Sequence, residues 1–296
     1  MSSILQWYRR HERAVVGYLF LAPDVIGLLI FVIGPMIYAF YLSLHEWSGF
    51  GPTNYVGWGN YRDLLVDSRF WGSLRTTLYY VVLYVPSLFI SSLALAVLVN
   101  RRLPALGFFK TTYFIPVVTS MVVVSIVWGY MFESSYGFLN YLLRCAGLES
   151  RRWIGSAKEA MPSVVLVSTW KAIGYYMVIF LAGLQDIPQE YYDAAKVDGA
   201  SAWQSFANVT WPLLKPTSFF VIVIIVISSF QVFDQIYVMT RGGPAYATYV
   251  ILMYIYESGF RFMKLGYASA LAFVLFGIIF ALTLIQAKYL RSGRID

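Results

Sequence analysis

Apolar residues run in six long stretches along the chain, at roughly 15–44, 77–99, 111–132, 162–184, 217–239 and 267–287. Each is close to or above the 20 or so residues that cross a hydrocarbon core of about 30 Å. Polar residues do not recur within them at the spacing of a half-wetted helix. The second, third and sixth stretches contain no Asp, Glu, Lys or Arg; the first holds Asp24, the fourth Lys171 and the fifth Asp234. The pattern predicts an all-α, polytopic membrane protein with six transmembrane helices, organised as one domain over 1–296. The first stretch is too long for a cleaved leader, whose apolar region is about 7–15 residues, and reads as an anchor.

Composition agrees with that picture. Apolar residues make up 59% and charged residues 12%, against about 45–50% and 25% in soluble domains. Such a chain cannot cover itself with a solvated face. A disordered protein is excluded, and a soluble enzyme fits poorly. The net charge of +7 follows membrane topology rather than nucleic acid, because Lys and Arg gather at the ends of the spans. Arg9, Arg10 and Arg13 precede the first span, Arg101, Arg102 and Lys110 fill the short loop after the second, and Lys288, Arg291 and Arg294 follow the last. With six spans these segments share one side, which is read as cytoplasmic. The bias is one of density near span ends; basic residues summed over whole loops divide almost evenly.

Candidate chemistry is sparse. Cys145 stands alone, and His11 and His45 are far apart, so no metal-ligand spacing exists. No G-x-x-x-x-G-K-[ST], G-x-S-x-G or H-E-x-x-H occurs. The chain is not expected to be an enzyme. Trp47, Tyr55, Trp58, Tyr61 and Trp71 crowd the first external loop. They suit either an interfacial aromatic belt or a docking surface for an external partner.

The informative segment is the polar loop 185–216. Asp186 with Gln189 fits a capping box, with Pro188 early in the helix. Gly199 is placed to end that helix in the left-handed conformation. Ser201 with Gln204 forms a second capping box, and Pro212 and Pro216 are expected to stop the second helix before the fifth span. The small residues Ala194, Ala195, Gly199 and Ala200 would let another backbone approach closely. A coupling element for a motor protein and a hairpin packed on neighbouring loops both fit these features.

Here a family resemblance enters. Asp193-Ala194-Ala195-x-x-Asp198-Gly199-Ala200, followed by Phe206 and Trp211-Pro212-Leu213-Leu214-Lys215-Pro216, resembles the E-A-A loop of bacterial ABC-importer permeases, with Asp193 where the family usually has Glu. Phe233-Asp234-x-x-Tyr237-x-x-Thr240-x-Gly242-Gly243-Pro244 is similar to a block of carbohydrate-uptake permeases, as is Gly57-x-x-Asn60-Tyr61. The blocks most resemble the first permease of the pair in maltose-, oligosaccharide- and glycerol-phosphate-type importers. The resemblance implies a bacterial inner-membrane subunit with cytoplasmic termini, forming half of a sugar pore that works by alternating access. It implies a second permease, two ATPase subunits that bind the ATP and magnesium, and an external solute-binding protein; no cofactor belongs to this chain. Asp193, Ala194, Ala195, Asp198, Gly199 and Ala200 would form the ATPase contact.

The resemblance also places sugar contacts in the fourth and fifth spans, where Tyr175, Ser229, Gln231 and Val232 fall at contact positions. Tyr175, Ser229 and Gln231 supply the aromatic, hydroxyl and amide groups that a sugar needs. Lys171 and Asp234 are costly inside a span and usually face a cavity or a partner. They line the translocation cavity, where they could pair at rest, or else they form a structural bridge between helices or snorkel. Two other readings of the chain stand beside the importer of sugars: a permease of the same fold for a non-sugar solute, and a membrane receptor or assembly subunit that transports nothing.

Overall fold

In an apolar surround every backbone N–H and C=O has to find a partner inside the protein. Long apolar stretches therefore fold as helices, and helices dominate the chain. The computed structural model describes residues 2–100 and 106–291. In chain order the elements are α1 (Ser2–Leu28), a π-turn (Leu29–Ile33), α2 (Gly34–Ser43), β1 (His45–Glu46), β2 (Asn54–Tyr55), α3 (Gly59–Val66), α4 (Ser68–Val99), α5 (Leu106–Val118), α6 (Met121–Met131), α7 (Phe138–Cys145), a 3-10 turn (Trp153–Gly155), α8 (Ala160–Gln185), α9 (Gln189–Val197), α10 (Ala202–Ser205), a π-turn (Phe206–Thr210), α11 (Trp211–Phe230), α12 (Asp234–Met239), α13 (Ile251–Tyr256), a π-turn (Glu257–Arg261) and α14 (Leu265–Arg291). Arg101, Arg102 and Arg294, three of the expected cytoplasmic flanking charges, lie outside the described residues.

Five helical stretches among the described residues are long and apolar enough to cross a membrane: Val16–Ser43, Ser68–Val99, Ala160–Gln185, Ala202–Phe230 and Leu265–Lys288. The sixth expected span is broken: Thr111–Val118 and Met121–Met131 meet at 104°. Ser120 is extended there (φ −59°, ψ 134°), four residues after Pro116. The 11 residues of α6 reach only about 16 Å at about 1.5 Å each, about half of a bilayer core.

Two further boundaries differ from the sequence expectation. The second span begins at Ser68 rather than near 77, because the Asp67 side chain accepts from Arg69 N–H at 2.8 Å and caps the helix. Trp71 therefore belongs to α4 and not to the external loop. The fifth span begins at Ala202 and ends at Phe230. Pro212 and Pro216 do not stop it. The π-turn ahead of Pro212 widens the helix, so that Trp211 N–H reaches the Phe206 carbonyl. Gly34 N–H reaches Leu29 in the same way, one residue before Pro35. Proline lacks the N–H and crowds the carbonyl four residues back, and a π-turn relieves that crowding.

The described residues form two compact units, Met1–Val66 with Ile255–Val274, and Asp67–Tyr254 with Leu275–Asp296. In the first, β1 and β2 pair antiparallel, His45 opposite Tyr55. Buried Asn60 holds this ribbon: its Nδ2 donates to the Ser43 carbonyl at 2.8 Å and the His45 carbonyl at 3.0 Å. Tyr61 adds a hydroxyl contact to Ser43 at 2.8 Å. Leu265 N–H donates to the Trp47 carbonyl, and a Cβ on Gly266 would lie 1.9 Å from the His45 carbonyl oxygen. The third resemblance block is thus a set of backbone anchors.

In the second unit α4 packs most extensively on α8. The buried stripe of α4 includes Ser73, Thr77, Tyr80, Tyr84, Leu88, Ser92 and Ala96, at helical spacing and rich in small residues. Apolar lipid gives little drive for helix association, so close van der Waals contact has to supply it. Glycines make the contact closer: a Cβ on Gly174 would meet the Tyr113 carbonyl oxygen at 2.0 Å, and one on Gly183 would meet Thr217 at 2.4 Å. Asp67 has a second task, accepting the Tyr254 hydroxyl.

Asn60→Ala leaves two buried carbonyls without their donor, which costs about 1–3 kcal/mol. A lowered thermal midpoint in detergent is expected; an unchanged midpoint would show that water replaces the amide.

Candidate functional site

The loop after α8 folds from its own local signals. Pro188 is the N-cap of α9. The expected Asp186–Gln189 capping box does not form. Asp186 instead closes α8, its N–H bonding to Ala182, and the Gln189 amide donates to Asp193 at 3.2 Å. Glu190 in the first turn and Lys196 in the last complement the helix dipole. At the far end Gly199 N–H reaches the Lys196 carbonyl and Ala200 N–H reaches Ala195. This pair of bonds is a Schellman turn, which needs a left-handed residue; Gly199 supplies it at φ +72°. The Ser201–Gln204 capping box forms in both directions.

No residue of α9 is buried. Tyr191, Val197 and Trp203 stand exposed around it, Val197 at 87%. Asp193, Ala194, Asp198 and Gly199 are exposed, while Ala195 and Ala200 are half-buried. A Cβ on Gly199 would meet nothing in this chain. The Gln189 amide, followed by the Lys196 ammonium 3.3 Å away, holds the Asp193 carboxyl below the usual carboxylate range. A hydroxyl contact ties the loop to the long helix: Tyr192 Oη lies 3.1 Å from Thr210 Oγ1, and Thr210 is buried in the π-turn before Pro212.

A second feature lies where the fifth span ends. The Ser228 and Ser229 hydroxyls donate back to the Ile225 and Val226 carbonyls at 3.0 and 2.7 Å, competing with the main-chain ladder. The helix stops at Phe230, residues 231–233 are not helical, and α12 starts at Asp234. A span predicted as continuous to 239 is therefore interrupted. The irregular stretch lines a cleft of about 480 Å³ with α8.

Lys171, Gln231, Val232 and Asp234 line that cleft. Tyr175 and Ser229 do not. Tyr175 is exposed beside Tyr176, and Ser229 is fully buried with its hydroxyl on Val226. Ser228 takes the lining position instead. Lys171 and Asp234 do not pair; Lys171 Nζ donates to the Val117 carbonyl at 3.3 Å. The sequence reading missed Gln235, whose Nε2 donates to Ser168 Oγ at 3.1 Å and to Tyr80 Oη at 3.4 Å. An amide next to a carboxylate within an apolar run was the signal for it.

The Gly242-Gly243-Pro244 block closes this region. Gly242 sits at φ +79°, where a Cβ would lie 2.7 Å from the Tyr249 ring. Buried Thr248 donates to the Gly243 carbonyl at 2.8 Å and shares a 2.7 Å contact with the Thr240 hydroxyl. Phe233 and Tyr237 stack at 5.3 Å. The block is a packed corner after α12.

Residues 64–292 match the family described as binding-protein-dependent transport system inner membrane component. A probable ABC transporter permease protein, YurN of Bacillus subtilis (strain 168), is 36% identical over 96% of this chain and 99% of its own length. The trehalose/maltose transport system permease protein MalF of Thermococcus litoralis is 32% identical over 99% of both chains. Among solved structures, a chain of a bacterial alginate ABC transporter, in complex with an alginate pentasaccharide-bound periplasmic protein, has the same fold. Its TM-score is 0.83 at 24% identity, covering 95% of this chain and 96% of that one. By sequence and fold alike, this chain belongs to the family of inner-membrane components of binding-protein-dependent transport systems.

Proposed function

We propose that the chain is one half of the translocation path of an ATP-driven importer for a sugar or sugar derivative. The observation that carries the reading is α9: a short helix with no buried residue, closed by a Schellman turn, with apolar side chains exposed around it. Among the described residues such a helix packs only lightly, on the turn at Phe206–Thr210, and a groove on an ATPase subunit would cover the rest of it. In this reading Asp193, Ala194, Ala195, Asp198, Gly199 and Ala200 form the contact, the loop is cytoplasmic, and so are both termini. A second permease completes the pore, a solute-binding protein delivers the substrate from outside, and paired ATPase subunits bind the ATP and magnesium. The sugar class is supported by the trehalose/maltose relative and by the Gly242-Gly243-Pro244 block.

In this reading the loop drives the cleft as a lever. When ATP closes the ATPase pair, the two α9-type helices are drawn together. Tyr192 then pulls on Thr210, and the 202–230 helix moves as a lever whose far end is the broken backbone at 231–233. The cleft there changes its opening. Hydrolysis separates the ATPases and resets the lever.

Affinity purification of the tagged chain in mild detergent is expected to recover a P-loop ATPase and a second six-span permease. Stable recovery without any ATPase would leave the receptor reading in its place. Gly199→Ala is expected to cost about 1 kcal/mol through its positive φ and to keep transport. Gly199→Trp is expected to have a similar stability, since a Cβ there meets nothing in this chain, but to uncouple hydrolysis from uptake, because in this reading its ring would enter the ATPase contact. Wild-type uptake in Gly199→Trp would sink the contact. Tyr192→Phe and Thr210→Val each remove a link worth about 0.5–1.5 kcal/mol. Both are expected to lower uptake per ATP, and the double variant to be no worse than either single one. Additive losses would mean that the two side chains do not act through each other.

A further inference from the structure

Lys171 and Asp234 bring opposite charges into one cleft without neutralising each other. The Lys171 ammonium has three protons and gives one to Val117. The Asp234 carboxylate has no hydrogen-bond or ion-pair partner among the described residues. Lys171 lies within the fourth span, where a charge is costly and usually paired. Asp234 stands exposed at the start of α12, just beyond the end of the fifth span at Phe230. The remaining polar lining is uncharged: Ser168, Ser228, Gln231 and Gln235.

The chemistry of possible occupants separates on this pattern. A neutral sugar is served by the hydroxyls and amides and makes no use of either charge. An anionic sugar meets Lys171 and is repelled by Asp234; a cationic one does the reverse. Only a solute with both kinds of charge satisfies both residues. We infer that the cleft accepts a zwitterionic polyhydroxylated solute, a sugar derivative with an anionic group received by Lys171 and an amino group received by Asp234. Gln231 and Ser228 are left for its hydroxyls. This substrate class deepens the proposed importer function and rests on it.

The test uses the complete transporter, with its partner subunits and binding protein, in liposomes. Uptake is compared for three probes with the same carbon chain: glucosaminic acid, a zwitterion; gluconic acid, an anion; and sorbitol, a neutral polyol. Glucosaminic acid is expected to enter at least about tenfold faster than the others. Lys171→Gln and Asp234→Asn, each checked for assembly by size exclusion, are each expected to erase most of that preference. Asp234, exposed at a helix start, keeps the test available if the Lys171 variant does not assemble. Sorbitol or gluconic acid entering as fast as the zwitterion, or a preference unchanged in the assembled variants, overturns the inference. Failure of all three probes to enter through an assembled, ATP-hydrolysing complex overturns the sugar-importer reading beneath it.

Discussion

The need to satisfy backbone polar groups away from water governs this chain. An unmet N–H or C=O in an apolar surround costs several kcal/mol, so each interruption of a helix has to carry its own repair. Thr77 shows the rule at its sharpest. Its hydroxyl oxygen accepts the N–H of Ile251, the first residue of α13, at 2.9 Å, while its proton goes to the Ser73 carbonyl. Asn140 is another case, for its amide meets two carbonyls, at Ser134 and Arg151, and its oxygen accepts from Arg151 N–H and Trp153 Nε1. Those four bonds exhaust its capacity and fix the segment around α7. At both places a side chain stands in for the ladder bond that the backbone lacks.

That rule explains what the sequence made legible. Long apolar runs have one solution, so the first, fourth and sixth spans lie close to where hydropathy places them. Caps with a single chemical signature are equally clear, as at Gly199 and Ser201. Breaks are harder, because hydropathy does not change across them. Thr119 and Ser120 interrupt an apolar run only mildly, yet the chain turns there by 104°. Pro212 and Pro216 looked like stops, but proline ends a helix only when its crowding has no outlet, and the π-turn is an outlet. Asp186 carried a capping signature that α8 overrode by extending one residue further than the periodicity required.

The cleft shows the same division. Lys171, Gln231 and Asp234 were legible because polar groups in an apolar run have few reasons to be there. Ser228 and Ser229 were not separable, since adjacent helical residues point about 100° apart and the phase near a break depends on where the helix ends. Gln235 became visible only through its partners, Ser168 and Tyr80, which lie far away in sequence.

The π-turn at Phe206–Thr210 has a consequence for how such a chain can vary. A π-turn holds one residue more than the α-turn it replaces. Losing a single codon there would let the turn close as an ordinary α-turn, with the helix on either side of it close to its present phase. In an uninterrupted α-helix the same loss would turn everything on one side of it by about 100°. The five residues of the π-turn are therefore a place where chain length can change by one residue while Trp203 and the loop behind it keep nearly the direction they face.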